Sequence, residues 1–351
     1  MLKLKDISKN IQEILENEKS KELYTIKAFK VNSQTPRTIL LAMNQNYAIL
    51  IISIFSFFII LWIAKNRKFE TTDSVSDAYD TWTNDRILEK LWGEHIHLGY
   101  YHDSKNLGDF REAKATFVHE LVKWSGLDKL PKGSRVLDVG CGIGGSSRIL
   151  AEHYGFNVIG ITISAEQVKR ARELTKASLN CTFQQMDAMN LKFDDGEFDG
   201  IWSVEAGPHM PDKQKYADEM LRVLRPGGYL AVADWNSRDL TQKAPNIIEK
   251  LVLKQLLEQW AHPSFSSIRS FQRNLSNSSF VGSQVETDDW TKETLPSWWE
   301  SIFEGARRPK IFLSLGLSSL FKSFREIPTI LLMNWAFGNG LMQFGVFRCR
   351  G

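Results

Sequence analysis

The chain has 351 residues, enough for about two domains, and carries 44 Lys and Arg against 41 Asp and Glu, a formal net charge of +3. With 43% hydrophobic residues, these values exclude a disordered chain, a collagen-like chain and a polytopic membrane protein, and the nearly balanced charge gives no reason to expect nucleic-acid binding. The three cysteines show no metal-ligand spacing and no disulfide pattern, which favours a reducing compartment.

An uncharged segment near the start predicts a membrane anchor. Residues 47–64, YAILIISIFSFFIILWIA, contain 16 apolar residues among 18. As a helix they would span about 27 Å, close to the hydrocarbon core of about 30 Å. Lys65, Arg67 and Lys68 follow, so the positive-inside rule predicts a single-pass helix with the rest of the chain on the cytoplasmic side. A buried core helix and a cleaved signal peptide are the alternatives, but no A-x-A cleavage site follows.

Residues 1–46 form an N-terminal extension that begins with a stretch rich in Lys and Glu. It could form a polar helix, but it has no second half on which to pack. Met43 lies four residues before the apolar run. We therefore expect natural translation to start at Met43, which would make residues 1–42 a non-native upstream extension.

The elements after the anchor change character at residue 133. Residues 65–132 are mainly helical and aromatic, and Phe110, Ala113, Phe117 and Leu121 recur at helical spacing as one apolar face. Residues 133–236 alternate short apolar strands (SRVLDVG, NVIGIT, CTFQQMD, FDGIWSV, YLAVADW) with helices (SSRILAEHY, AEQVKRARELT, KQKYADEMLRVL). Such alternation is typical of an α/β fold with a mostly parallel, doubly wound sheet and helices on both faces.

Residues 237–351 add further helices and closing strands. We expect a helix in IIEKLVLKQLLEQW, a possible strand at Val281–Thr287 and a closing strand at Gln343–Cys349. The intervening insert, residues 295–337, mixes Trp, Phe and Leu with Arg and Lys. It is either an interfacial surface resting on anionic lipid or a helical cap that closes a pocket.

A glycine-rich turn after the first strand carries the strongest functional signal. Asp138 ends the strand, and Gly140, Gly142 and Gly144 then allow a sharp turn and a close approach of the backbone to a ligand. The spacing G-x-G-x-G, with no acidic residue closing the second strand, disfavours a dinucleotide site. There is also no G-x-x-x-x-G-K-[ST] motif for a triphosphate.

Three motifs in order resemble the class I S-adenosylmethionine (SAM) methyltransferases. They are the loop from Asp138 to Gly144, the pair Asp187-Ala188 after the third strand, and LRVLRPGG before the fifth strand. The resemblance implies a Rossmann-like fold that binds SAM. The expected cofactor contacts here are Asp138, Gly140, Cys141, Gly142, Gly144, Asp187 and Ala188.

The flanking sequence resembles the tocopherol and sterol C-methyltransferase branch, in which Thr-x-Ser and a nearby Gln replace the acidic ribose ligand. The corresponding residues are Thr162, Ser164 and Gln167. Further segments resemble the cyanobacterial-type 2-methyl-6-phytyl-1,4-benzoquinol methyltransferases: SVSDAYDTWTNDRILEKLWGEHIHLGYY, SVEAGPHMPDK, ADWNSRD, LLEQWAHPSF and KSFREIPTILLM. This resemblance extends from about residue 43 to the C-terminus and implies a prenylated quinol substrate and a thylakoid or plasma membrane. A tocopherol or sterol acceptor, or a SAM-binding scaffold without catalysis, are the alternatives.

Methylation of an aromatic carbon needs a base and a positioned ring. Glu205 and His209 follow the fourth strand, where α/β sheets place their ligands, and are the first candidates. Their alternative roles are a helix-terminal carboxylate and a packing residue. His95 and His97 could line the pocket, make structural hydrogen bonds or bind a metal, but two histidines beside Glu94 do not make a metal site, so we expect none.

Overall fold

The computed structural model describes residues 69, 76, 79, 80, 83, 84, 86–103, 107–314 and 316–351, with the backbone alone at 312, 313, 317–323 and 325. The predicted N-terminal extension and the predicted anchor at residues 47–64 lie outside this part. Within it, no helix combines the length and the apolar character needed to cross a membrane.

Helices and strands alternate along the described chain. The helices are α1 (Ile87–Trp92), α2 (Phe110–Ser125), α3 (Gly145–Tyr154), α4 (Ala165–Leu174), α5 (Lys213–Val223), α6 (Ile247–Gln259), α7 (Ile268–Asn277), α8 (Thr291–Thr294), α9 (Pro296–Arg307), α10 (Pro309–Ser314) and α11 (Gly316–Gly338). The strands are β1 (Arg135–Val139), β2 (Asn157–Thr162), β3 (Cys181–Gln185), β4 (Phe198–Val204), β5 (Leu224–Ser237), β6 (Glu286–Asp289) and β7 (Met342–Arg350).

The strands form one mixed sheet in the order β3-β2-β1-β4-β5-β7-β6. The neighbours among β1 to β5 are parallel, which confirms the parallel arrangement predicted for residues 133–236. Strand β7 lies antiparallel between β5 and β6, so the closing strand is also confirmed. In parallel strands such as β1, nearly continuous apolar burial is expected because both faces of the sheet are covered.

Two strands differ from the prediction by more than two residues at a boundary. Strand β5 starts at Leu224 and not at Tyr229, because Leu224 pairs with Phe198 before an irregularity that shifts the register. The strand expected at Val281–Thr287 lies at Glu286–Asp289. The preceding segment is held instead by single contacts, such as the Gly282 N–H donating to the Arg350 carbonyl at 2.8 Å.

Helices cover both faces of the sheet, and each face has its own apolar core. One core joins side chains from α2, α3, α6, α9 and α11 to the sheet, and the other joins side chains from α5 and α7 to it. The predicted apolar face of α2 is buried at Phe110, Ala113, Phe117 and Leu121. Strand order reverses between β1 and β4, and ligands of open α/β sheets bind at the carboxyl ends of strands at such a point.

Candidate active site

The glycine-rich turn connects β1 to α3 and is hydrogen-bonded to the neighbouring strand. The N–H groups of Gly140 and Cys141 both donate to the Ile161 carbonyl at 2.9 Å, which fastens the turn to β2. Gly142 has φ +55°, and a Cβ added there would meet no atom within 4 Å. Gly142 also lines a large cavity, so the backbone is bare where a ligand would approach it.

This cavity has a volume of about 800 Å³ and brings together most of the predicted cofactor residues. Its wall includes Gly140, Cys141, Gly142, Thr162, Gln167, Asp187 and Ala188. Asp138, Gly144 and Ser164 are not part of the wall. The structure therefore brings seven of the predicted cofactor residues to one cavity, and the other three lie behind its surface.

Two of the residues behind the surface have clear structural partners. Asp138 is buried and accepts a hydrogen bond from the Ser147 hydroxyl, and burial raises its pKa to about 7. The Ser164 hydroxyl donates to Asp80 and accepts from the Gln167 N–H at 3.0 Å, as the N-cap of α4. Both side chains therefore fix the elements that carry the wall.

The wall fits the cofactor that the sequence resemblance implies. Thr162 donates to the Gln167 amide oxygen at 2.7 Å, so the two side chains are held together at the end of β2. Asp187 holds its own loop by accepting from the Met189 N–H at 2.9 Å. Carboxylate and amide oxygens accept from ribose and amino groups, and the bare backbone at Gly142 leaves room for them. SAM would be held by these residues.

Glu205 lies at the carboxyl end of β4 in the same cavity wall. Its backbone has φ +56°, a left-handed conformation that is unusual outside glycine and is typical of functional sites. Its Oε1 accepts from the Leu98 N–H at 2.8 Å. Burial raises its pKa to about 8, although the Leu98 N–H and the Lys114 ammonium both lower it. A carboxyl group tuned in this way suits a general base near neutral pH.

Lys114 is a functional candidate that the sequence analysis missed. It is 2% exposed, lines the cavity, and donates from Nζ to the His95 carbonyl at 2.6 Å. Burial lowers its pKa to about 7, and Glu205 opposes this shift. The sequence feature that could have identified Lys114 is its position next to Ala113, in the apolar face of α2.

His95 and His97 lie together, as predicted, but their nitrogens are largely occupied. His97 Nδ1 donates to the Leu98 carbonyl at 2.7 Å, so its Nε2 is an acceptor in the neutral ring, 3.1 Å from His95 Nδ1. Burial lowers the pKa of His97 to about 3 and keeps the ring neutral. His97 lines the cavity and His95 is not part of its wall. These contacts order the segment that brings Leu98 to Glu205.

His209 lies on a turn that is held from two sides. Lys213 Nζ donates to the Gly207 carbonyl at 2.7 Å, and the Gly207 N–H donates to Asp234 at 3.1 Å. A Cβ on Gly207 would lie 2.0 Å from Asp234, so only glycine fits there. His209 Nε2 is 2.8 Å from the Tyr79 hydroxyl, whereas its buried Nδ1 has no hydrogen-bond partner among the described residues.

An aromatic wall forms another side of the cavity; Trp235 was expected there from the sequence, whereas Trp260, Trp298 and His262 were not. Trp235, Trp260 and Trp298 line the cavity, with Trp235 5.4 Å from Trp260 and 5.5 Å from Trp298 between ring centroids. His262 lines it beside His209, at a centroid distance of 4.3 Å. The segment LLEQWAHPSF contributed only to the family resemblance, because nothing in its pattern marks His262 as buried.

The described residues contain no group of three or more His, Cys, Asp or Glu side chains placed to hold a metal ion. These residues offer a half-buried carboxyl group with a raised pKa, a neutral pair of histidines and an aromatic wall, all beside the glycine-rich turn. This combination suits transfer of a group to a flat, largely apolar acceptor.

Comparison with known proteins agrees with this geometry. A family model described as a methyltransferase domain matches residues 136–228. The chain is 56% identical over 288 residues to a 2-methyl-6-phytyl-1,4-hydroquinone methyltransferase from Synechocystis sp., covering 82% of this chain and 91% of that protein. It is 35% identical over 276 residues to a chloroplastic tocopherol O-methyltransferase from Arabidopsis thaliana, covering 75% and 78%.

A solved structure shares the fold at low sequence identity. It is a geranyl diphosphate C-methyltransferase from Streptomyces coelicolor A3(2), with a TM-score of 0.59 and 20% identity over 79% of this chain and 96% of that one. At this identity the likeness concerns the fold alone.

Proposed function

We propose that this chain, which belongs to the family of SAM-dependent methyltransferases, methylates a ring carbon of a prenylated benzoquinol. The observation that carries the proposal is the half-buried Glu205, whose carboxyl pKa is raised to about 8, in a cavity shared with the glycine-rich turn. The relative from Synechocystis sp. bears the name of such an activity.

The chain's own residues account for the acid–base work of this reaction. SAM supplies a methyl group on a positively charged sulfur. Methylation of a ring carbon forms one carbon–carbon bond and breaks the sulfur–methyl bond, and the same carbon then loses a proton. Glu205 would accept the proton of the ring hydroxyl, which makes the ring electron-rich, and would return it to the ring oxygen after the methyl group has been transferred. The carboxylate is then free to accept the carbon-bound proton, which it releases to water. The Leu98 N–H keeps the carboxylate oriented through Oε1.

The cavity also suits an acceptor with a long apolar tail. Its volume lies towards the upper end of the 300–1,000 Å³ typical of ligand pockets, and aromatic and aliphatic side chains dominate its wall. Three wall residues, Ala306, Pro309 and Phe324, are themselves exposed, so the cavity opens between α9, α10 and α11. An isoprenoid tail can leave through this opening while the ring stays beside Glu205.

We propose further that the enzyme works at a membrane, as a single-pass protein with its catalytic part on the cytoplasmic side. The support is the apolar run at residues 47–64 with its basic flank. Exposed apolar side chains near the opening, Trp299, Phe303 and Phe324, agree with a lipid-facing surface. The thylakoid or plasma membrane follows from the resemblance.

The full chain, incubated with labelled SAM and a panel of prenylated quinols, tests the substrate. We expect one labelled product that carries the new methyl group on a ring carbon, as established by mass spectrometry and NMR. A methyl group on oxygen would refute the proposal and favour the chemistry named for the Arabidopsis relative. Labelling of a sterol but of no quinol would also overturn it.

A further inference from the structure

We propose that His262 binds the ring hydroxyl opposite the one that faces Glu205, so that two fixed points determine which ring carbon receives the methyl group. The inference rests on the proposed function and assigns a positioning group to its substrate. It is based on buried histidine nitrogens in the cavity wall that have no hydrogen-bond partner among the described residues.

His262 is buried without hydrogen bonds. It is 3% exposed, and neither ring nitrogen has a hydrogen-bond partner among the described residues. The Pro208 carbonyl is close enough to raise its pKa slightly but does not complete a hydrogen bond of normal geometry. Buried polar side chains are almost always hydrogen-bonded, and His262 lines the cavity. A polar group of the ligand therefore belongs at this position.

A second buried nitrogen supports this conclusion. His209 Nδ1 also lacks a partner among the described residues, and the two imidazole rings are 4.3 Å apart. The two rings that carry unpaired nitrogens therefore lie side by side, as expected if one hydroxyl group serves both. Tyr79 already occupies the other nitrogen of His209, which leaves His262 with the greater capacity to bind.

The ring of His262 is held in place by its neighbours. Phe265 lies 5.1 Å away and Trp235 5.8 Å away between centroids, in tilted and T-shaped contacts. Ala261, directly before it, has φ +54°, which turns the chain out of α6 and directs the next residue inward. A fixed ring can define a direction for a hydrogen bond, whereas a mobile one cannot.

The protonation state is suited to a hydroxyl group. Burial, His209 and Lys213 all hold the pKa of His262 well below its usual range, so the ring is neutral near pH 7. A neutral imidazole has one donor and one acceptor nitrogen. It can accept from a phenolic O–H without removing the proton, which distinguishes it from Glu205.

Trp235 relates the two binding points. Its indole contacts the ring of His262, and its N–H lowers the pKa of Glu205 from nearby. Glu205 and His262 therefore lie beside the same indole. A benzene ring with hydroxyl groups on opposite carbons, placed along Trp235, would direct one hydroxyl group towards each side chain.

Binding of a quinol to the full chain saturated with S-adenosylhomocysteine, measured by tryptophan fluorescence, tests the inference without requiring turnover. The ligands are a prenylated quinol and the two prenylphenols that each lack one of its hydroxyl groups. We expect wild type to bind the quinol about tenfold more tightly than the phenol that lacks the hydroxyl assigned to His262. His262→Phe should bind these two ligands equally, and His262→Asn should recover part of the difference. His153→Phe, an exposed position on α3, is the matched control and should behave as wild type.

The product of turnover gives a second readout. We expect His262→Phe to place the methyl group on more than one ring carbon, which a purely structural role would not produce. The inference is overturned if wild type shows no preference for the second hydroxyl, or if His262→Phe keeps both the preference and a single product. If wild type neither binds nor methylates any quinol, the proposed function itself fails, and the inference with it.

Discussion

The surroundings of Glu205 disfavour the ionised form of its carboxyl group. The residue is half-buried and has a left-handed backbone, and removal of its carboxyl group from water raises the pKa from 4.5 to about 8. Because the folded-state pKa is raised, its contribution to stability is complete below pH 4.5 and is lost as the pH rises towards 8. At working pH, the protein is less stable than it would be with a neutral residue there. Such a loss of stability is expected at a catalytic position, which is the role that we propose for Glu205.

Replacing Glu205 with Gln tests this relation in two ways. We expect kcat to fall roughly 10²- to 10⁴-fold because the base is lost. In wild type, kcat/KM should rise with pH up to about 8, where the carboxyl group becomes ionised, and this limb should be absent in the variant. The free energy of unfolding at pH 8 should be higher in the variant.

The control is Glu120→Gln, a half-buried carboxylate on α2 outside the cavity wall, which should leave the pH profile unchanged. An unaltered kcat in Glu205→Gln would remove Glu205 from the reaction.

Alanine substitutions at two glycines distinguish the effect of backbone strain from the effect of a lost ligand contact. Gly142 and Gly133 both have positive φ, +55° and +85°, and at both a new Cβ meets no atom within 4 Å. Alanine at either position should lower the free energy of unfolding by about 1 kcal/mol. Only Gly142 lines the cavity, so only Gly142→Ala should weaken SAM binding, by roughly tenfold. Calorimetry with SAM measures both, and equal SAM affinity in the two variants would place the cofactor elsewhere.

At the scale of elements, α9 and α10 form one side of the cavity opening. Ala306 near the end of α9 is exposed and also belongs to the cavity wall. Ala306→Trp should narrow the path of an isoprenoid tail while leaving the ring site unchanged. We expect KM for a long-tailed quinol to rise roughly tenfold, from the cost of overpacking, with little change for a short-tailed quinol.

Ser314→Trp places the same bulk on α10 at an exposed residue outside the cavity wall and serves as the control. Equal losses for both tail lengths in Ala306→Trp would mean that this opening is not the exit of the tail.

The sequence was informative wherever a functional residue follows a strand along the chain. Glu205 and the turn at Gly142 were found because parallel strands present their carboxyl ends at a common edge. Lys114, Trp298 and His262 reach the same cavity from α2, α9 and the segment after α6. Their positions depend on how the helices pack, which local periodicity does not encode. The ligand contact expected of Ser164 stays a prediction; the structure shows that its hydroxyl caps α4.

At the scale of the whole molecule, the apolar run at residues 47–64 predicts that the chain is attached to a membrane. We expect the full chain to remain with membranes after an alkaline salt wash, and a chain that starts at Phe69 to be released. A chain lacking only residues 1–42 keeps the apolar run and should stay with the membrane, which makes it the matched control. Sedimentation followed by immunodetection measures all three, and a full chain in the soluble fraction would contradict the anchor.

The chain that starts at Phe69 also distinguishes the two interpretations of the insert at residues 295–337. Binding to anionic vesicles would support an interfacial surface around Trp299 and Phe303, which are 46% and 47% exposed. No binding would leave the insert as a cap over the cavity.

The position of β7 has a consequence for how the chain acquires its structure during synthesis. Strand β6 pairs with β7 alone, and β7 also completes the edge of β5, from which it is separated by the whole stretch from α6 to α11. While the ribosome is still producing that stretch, β5 offers an unpaired edge and β6 has no partner strand. Pairings between such distant segments form slowly and expose the nascent chain to aggregation. Chaperones that cover unpaired strand edges should therefore be needed most for this protein shortly before β7 leaves the ribosome.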